Sequence, residues 1–262
     1  MTFPVVFHPF GFPLHAHVLF EMLAYSLGFQ TYLLLRRKRP KESISAEQQL
    51  WLLVGCVFGA FFGSKLLAWA ESFAEYWVRR DDLVVWLGGK TIVGGIIGGW
   101  GGVEIAKKIL GIRQRTGDGY VIPLCLAIAI GRIGCFLTGL ADHTHGVQTT
   151  LPWGVDFGDG IARHPTQLYE MAWLMMMATG FTIAGVGWRR DTAGQAFRLF
   201  IAGYLLFRFA VEFIKPSSKG YAGLSAIQWA SIVVAGVAVW QMMRASKAQP
   251  ANPSLLTADA HA

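Results

Sequence analysis

The chain has 262 residues, 53% of them hydrophobic and 15% charged, with a formal net charge of +7. A composition this apolar excludes an ordinary soluble domain of the same size. The basic residues cluster between apolar runs, which fits loops at an anionic membrane surface and argues against nucleic acid as the partner.

Residues 1–14 are aromatic and Pro-rich, with His8, Pro9 and Pro13, and read as an interfacial segment. No basic residue precedes the first apolar run, so no cleavable signal peptide is expected. The first span is expected over His15–Leu35, ending in Arg36-Arg37-Lys38-Arg39, and the second over Gln49–Ala70. In the second, Gly55, Gly59 and Gly63 recur every four residues, a small-residue stripe for close helix approach. Glu21 and Lys65 are charges inside these spans; Lys65 is read as snorkelling and Glu21 as facing a cavity. Residues 71–86 mix acids, bases and Trp and read as an interfacial helix or re-entrant turn. The third span, Gly88–Leu110, contains Gly94, Gly95, Gly98, Gly99, Gly101 and Gly102, which suit tight packing or backbone contact with a ligand. The fourth covers Tyr120–Gly139, the fifth Pro165–Gly187, the sixth Ala196–Ile214 and the seventh Ser225–Met243.

This pattern predicts an all-α integral membrane protein of about seven transmembrane helices. Residues 1–247 form a single polytopic domain with a loop at 139–164, and 248–262 form a disordered tail. The loops after the odd-numbered spans hold most of the Lys and Arg, including Arg36, Arg37, Lys107, Lys108, Arg189 and Arg190. The positive-inside rule then places the N-terminus and the 139–164 loop outside and the C-terminus in the cytoplasm. A bacterial inner-membrane location is expected. Cys56, Cys125 and Cys135 lie in apolar runs with no CxxC pair, which gives no disulfide framework.

The chemistry is expected between Gly131 and Glu170. Arg132 follows Ala127-Ile128-Ala129-Ile130 with almost no polar cover, and an ionisable group at such depth is costly unless it functions. In the sixth span Tyr204, Arg208 and Glu212 stand four apart, on one helical face. They form either a self-neutralising packing pair or an anion site in which Glu212 orients Arg208. A guanidinium suits phosphate because its planar fork donates two parallel bonds. Arg132 and Arg208 together suggest a phospholipid headgroup site. Arg163-His164-Pro165 starts a helix, with Gln167 and Glu170 on one face, either capping it or anchoring the loop against Arg132. Asp142, His143 and His145 form a polar cluster that suits a solvated loop or a general base. Two His at i, i+2 with one Asp is a weak zinc pattern, and neither a metal nor another cofactor is expected.

These residues resemble the bacterial prolipoprotein diacylglyceryl transferase family. The matching pieces are Gly131-Arg132-Ile133-Gly134-x-Phe136, Arg163 through Glu170, and Tyr204 through Arg208 to Glu212-Phe213. Gly88-Gly89 with Gly94-Gly95 and Gly98 is similar to the family's Gly-rich segment. The resemblance implies transfer of a diacylglyceryl group from phosphatidylglycerol to the lipobox cysteine of a prolipoprotein signal peptide, with glycerol phosphate released. On that reading Arg132 and Arg208 hold the phosphate, with Tyr204, Gly94, Gly95, Gln167 and Glu170 around the lipid. Asp142 with His143 or His145 supplies the base, and Glu21, Cys135 and His164 are further candidates.

The chain departs from the family pattern near the acceptor thiol. Val93 stands where the family has His, Cys135 where it has Asn, and Glu21 aligns with a family Tyr. The family's short Asn-x-Glu stretch is replaced by the longer run 138–146. Two alternatives follow: a related transferase with another acceptor, in one form using Cys135 as a transient nucleophile, or a non-catalytic lipid-binding or transport protein.

Overall fold

A computed structural model describes residues 3–37, 44–185 and 194–247 of the chain. The basic residues Lys38, Arg39, Arg189 and Arg190, the end of the fifth expected span and the 248–262 tail lie outside the described residues.

Each expected span is helical. They are α1 (Ala16–Arg37), α2 (Ala46–Glu71), α5 (Ile92–Ile109), α6 (Val121–Thr138), α7 (Thr166–Ile183), α8 (Gln195–Val211) and α9 (Ala226–Lys247). Among the described residues, four helical stretches are long and apolar enough to cross a bilayer: Ala16–Arg37, Ala46–Glu71, Gly117–Asp142 and Ala226–Ala245. The chain is a multi-pass membrane protein, and Met22, Phe29, Phe58, Phe62 and Leu66 on its outer faces are exposed as lipid-facing residues are. The mixed stretch 71–86 resolves into two short helices, α3 (Phe73–Val78) and α4 (Leu83–Gly88). The third helix begins at Ile92 rather than Gly88, because Thr91 caps it by accepting from the Gly94 amide. The sixth tightens into a 3-10 turn over Glu212–Ile214. Lys65 does not snorkel to the outside: its ammonium donates to the carbonyls of Leu87 and Gly89, tying α2 to the end of α4.

The glycine stripes explain the closest packing. A Cβ on Gly59 would stand 2.2 Å from the Gly98 carbonyl oxygen, and one on Gly63 2.4 Å from that of Gly94. The backbones of α2 and α5 therefore touch, which no larger residue permits. At the crossing of α1 and α6, a Cβ on Gly134 would stand 2.9 Å from Phe20 Cβ and 3.2 Å from His17 Cα. Helices α5, α6, α7, α8 and α9 share an apolar core that includes Val93, Val121, Leu174, Phe200, Ile201 and Leu205. Truncating one of these to Ala costs on the order of 2–5 kcal/mol.

Two segments cover one end of the helices. The N-terminal hairpin pairs β1 (Val6–Phe7) with β2 (Leu14–His15), and Phe3 packs edge-on against Phe136 and Phe157. In the loop before α7, β3 (Val155–Asp156) pairs antiparallel with β4 (Ala162–Arg163). The Asp156 carboxylate accepts from the amides of Gly158, Asp159 and Gly160, and Arg163 forks onto Asp159 with two bonds of 2.7 Å. That pair holds the exposed Asp159 carboxyl down at about 2.

Candidate active site

The helices enclose a cavity of about 1530 Å³. A drug-sized ligand fills roughly 300–1,000 Å³, so this one has room for a two-chain lipid. Arg132 from α6, Arg208 from α8, and Glu212 line it, together with Glu21, Gly95, Cys135, Asp142, His143 and Lys215.

Behind the two arginines stands Glu170 of α7. Its Oε1 accepts from Arg132 Nη2 at 3.0 Å and from the Tyr204 hydroxyl at 2.6 Å. Its Oε2 accepts from Arg208 Nη1 at 2.7 Å and lies 2.9 Å from Arg132 Nη2. Arg208 Nη2 donates on to Glu212 Oε2 at 3.3 Å. The i, i+4 spacing of Tyr204, Arg208 and Glu212 turns all three toward this point, and none of the five residues is more than 7% exposed. Two guanidiniums face two carboxylates, so the buried charge is balanced. Removing one partner of such a cluster costs on the order of 3–5 kcal/mol, because the charge left behind is unpaired. Arg132 Nε and Arg208 Nε have no hydrogen-bond partner, so each guanidinium keeps donor capacity beyond its carboxylate.

Gly94 packs on the Gly63 carbonyl, whereas Gly95, one residue on, lines the cavity. Gln167 is buried beside Glu170 in sequence, with both amide atoms unpartnered. The 142–146 run divides. Asp142 and His143 line the cavity, His143 with a left-handed φ of 54°. His145 packs its ring on Phe157, and its Nδ1 donates to the Gly146 carbonyl. His164 meets the Tyr169 hydroxyl at 3.2 Å, and Trp153 donates to that same hydroxyl. Neither His145 nor His164 lines the cavity. Val93 is fully buried in the apolar core.

A model of the family described as prolipoprotein diacylglyceryl transferase matches residues 4–244. The chain belongs to this family. A relative in Bordetella bronchiseptica is 31% identical over 242 residues, covering 83% of this chain and 88% of its own. One in Cupriavidus necator is 32% identical over 220 residues, covering 75% and 76%. One in Geobacter sulfurreducens is 30% identical over 213 residues, covering 74% and 76%. All three are named phosphatidylglycerol–prolipoprotein diacylglyceryl transferase. In this member of the prolipoprotein diacylglyceryl transferase family, two cavity residues escaped the sequence reading. Lys215 counted only as a loop charge. His17 is a lone His at the start of α1; its one sequence signal is Glu21, four residues on, whose carboxylate lies 3.8 Å from His17 Nε2.

Proposed function

We propose that the chain transfers a diacylglyceryl group from phosphatidylglycerol to the cysteine thiol of a prolipoprotein lipobox, releasing glycerol phosphate. Seven helices span the bacterial inner membrane, with the N-terminus and the 139–164 loop outside. The observation that carries the reading is the convergence of Arg132 and Arg208 on Glu170 at the wall of a lipid-sized cavity. Glu170 holds the two forks, with the Tyr204 hydroxyl on the same carboxylate, and the two guanidiniums supply the positive charge for the phosphate. As the carbon–oxygen bond to phosphate breaks, negative charge grows on the leaving oxygen, and donors already fixed in place stabilise it without reorganising. The attacking species is the thiolate, so a group near the cavity mouth takes the proton. Asp142 and His143 line the cavity.

The departures at Val93 and Cys135 favour a second reading, in which the same lipid chemistry serves a different thiol. Both are tested by adding purified protein to labelled phosphatidylglycerol and a lipobox peptide. Labelled peptide and released glycerol phosphate are expected. Arg208→Lys keeps the charge but loses the fork, and it is expected to lower kcat about 10²–10³-fold. Glycerol phosphate released only with another thiol would select the second reading; no release with any thiol would reject both.

A further inference from the structure

Three side chains outside the arginine cluster meet where α1 crosses α6. His17 Nδ1 lies 3.2 Å from Asp142 Oδ1, and with Cys135 Sγ the three donor atoms lie within 4.8 Å of one another. All three residues line the cavity. The contact at Gly134 brings the two helices close enough to set Cys135 beside His17. The 3-10 turn Gly139–Asp142 brings the Asp142 carboxylate back over them.

We propose, building on the transferase reading above, that His17, Cys135 and Asp142 form a zinc-class metal site whose open fourth position takes the acceptor's cysteine sulfur. The donor set of one nitrogen, one sulfur and one oxygen suits zinc, and catalytic zinc keeps three protein ligands and one free position. Ligand atoms 2.0–2.3 Å from a tetrahedral ion stand roughly 3.5 Å apart, so small side-chain rotations gather this set. Its surroundings are those of a metal centre. The other ring nitrogen of His17 faces Glu21 Oε2 at 3.8 Å, and Lys90 stands 3.7 Å from the same carboxylate's Oε1. Asp142 Oδ2 accepts from the Thr144 hydroxyl, and the Thr144 carbonyl is bonded in turn by Thr166 at the start of α7. Arg132 Nη1 donates toward Cys135 Sγ at 3.7 Å, a contact from the layer behind the ligands. One carboxylate and one thiolate balance a divalent ion.

The site answers a need of the reaction. A thiol bound to a zinc-class ion is deprotonated outright, so activation needs no separate strong base. On binding, the acceptor thiol releases its proton to water. Its sulfur lone pair then forms the bond to the terminal glyceryl carbon. The bond from that carbon to the phosphate oxygen breaks, and its electron pair leaves with glycerol phosphate between Arg132 and Arg208. No oxidation or reduction occurs.

The test uses full-length protein in detergent, stripped with a chelator and titrated with zinc alone or cobalt alone. One equivalent is expected to bind, with cobalt giving a thiolate-to-metal absorption band that Cys135→Ser removes. His17→Ala and Asp142→Ala should lose the metal while still binding phosphatidylglycerol, which reports an intact fold. Glu21→Gln and Thr144→Ala should weaken zinc binding about 10–100-fold. Stripping should abolish transfer to the lipobox peptide and zinc should restore it. Transfer that survives stripping, in a protein that takes up no stoichiometric metal, overturns the site and leaves the transferase reading standing. So does loss of transfer in His17→Ala without any metal, which makes His17 and Asp142 a plain base pair. Zinc held through these three residues with no transfer to the peptide keeps the metal site and sinks the acceptor instead.

Discussion

Glu170 takes four approaches from three side chains, and each comes from a residue that is costly to bury alone. The carboxylate is what lets two guanidiniums share one wall. Lys215 lies just past the sixth helix, half-buried, and lines the same cavity as Arg208. Burial first, and the neighbouring Arg208 second, push its ammonium down to about 8. Because the folded value is below the unfolded one, the cost of this charge is present below pH 8 and is relieved as pH rises toward 10.5. Lipid binding runs the other way, since the ammonium that attracts phosphate is lost as pH rises through 8. One charge at 4 Å in water-like surroundings is worth about 1 kcal/mol, roughly fivefold in affinity. Phosphatidylglycerol affinity is therefore expected to fall about fivefold between pH 7 and pH 9. Equilibrium binding checks this: Lys215→Arg should flatten the profile, and Lys215→Met should be weak throughout. Arg132 and Arg208 were legible in the sequence because a guanidinium inside an apolar run has few structural uses. Lys215 was not, because a lysine at a helix end usually means only an interface.

At the scale of elements, glycine spacing was the clearest sequence signal. Steps of four in the second span matched the run of glycines in the third, and the two helices meet backbone to backbone through them. The fit leaves no room for a side chain. Gly98→Leu is expected to separate α2 from α5 and lower thermal stability in detergent, with Gly101→Leu, which has open space around it, as the tolerated control. Helix boundaries were less legible. Gly88 ends α4 instead of starting the next helix, and the Thr91 side chain caps that one by accepting from the Gly94 amide. The loop before α7 reads from sequence only as polar and turn-rich. Its order comes from Asp156 gathering three amides and from the Asp159–Arg163 fork, contacts that no periodicity announces.

For the whole molecule, hydropathy marked out the long apolar helices, because a chain in a bilayer must satisfy its backbone within such runs. The site was partly legible for the same reason. The cluster of His17, Cys135 and Asp142 was not, since its members are ordinary singly and come together only through a helix crossing. The proposed orientation is checked by labelling introduced cysteines with an impermeant maleimide in a Cys56→Ser background, where the remaining Cys125 and Cys135 are buried. Asp159→Cys should react in intact spheroplasts, and Glu47→Cys only after lysis. The reverse pattern would invert the topology.

The glycine seam has a consequence for traffic. Helices welded along their backbones move as one plank, so no doorway for a two-tailed substrate opens between α2 and α5. The first helix packs instead on α6, and its Glu21 meets Lys90 at 3.7 Å beside the cavity. A lateral path for such a substrate has to lie elsewhere than along this seam.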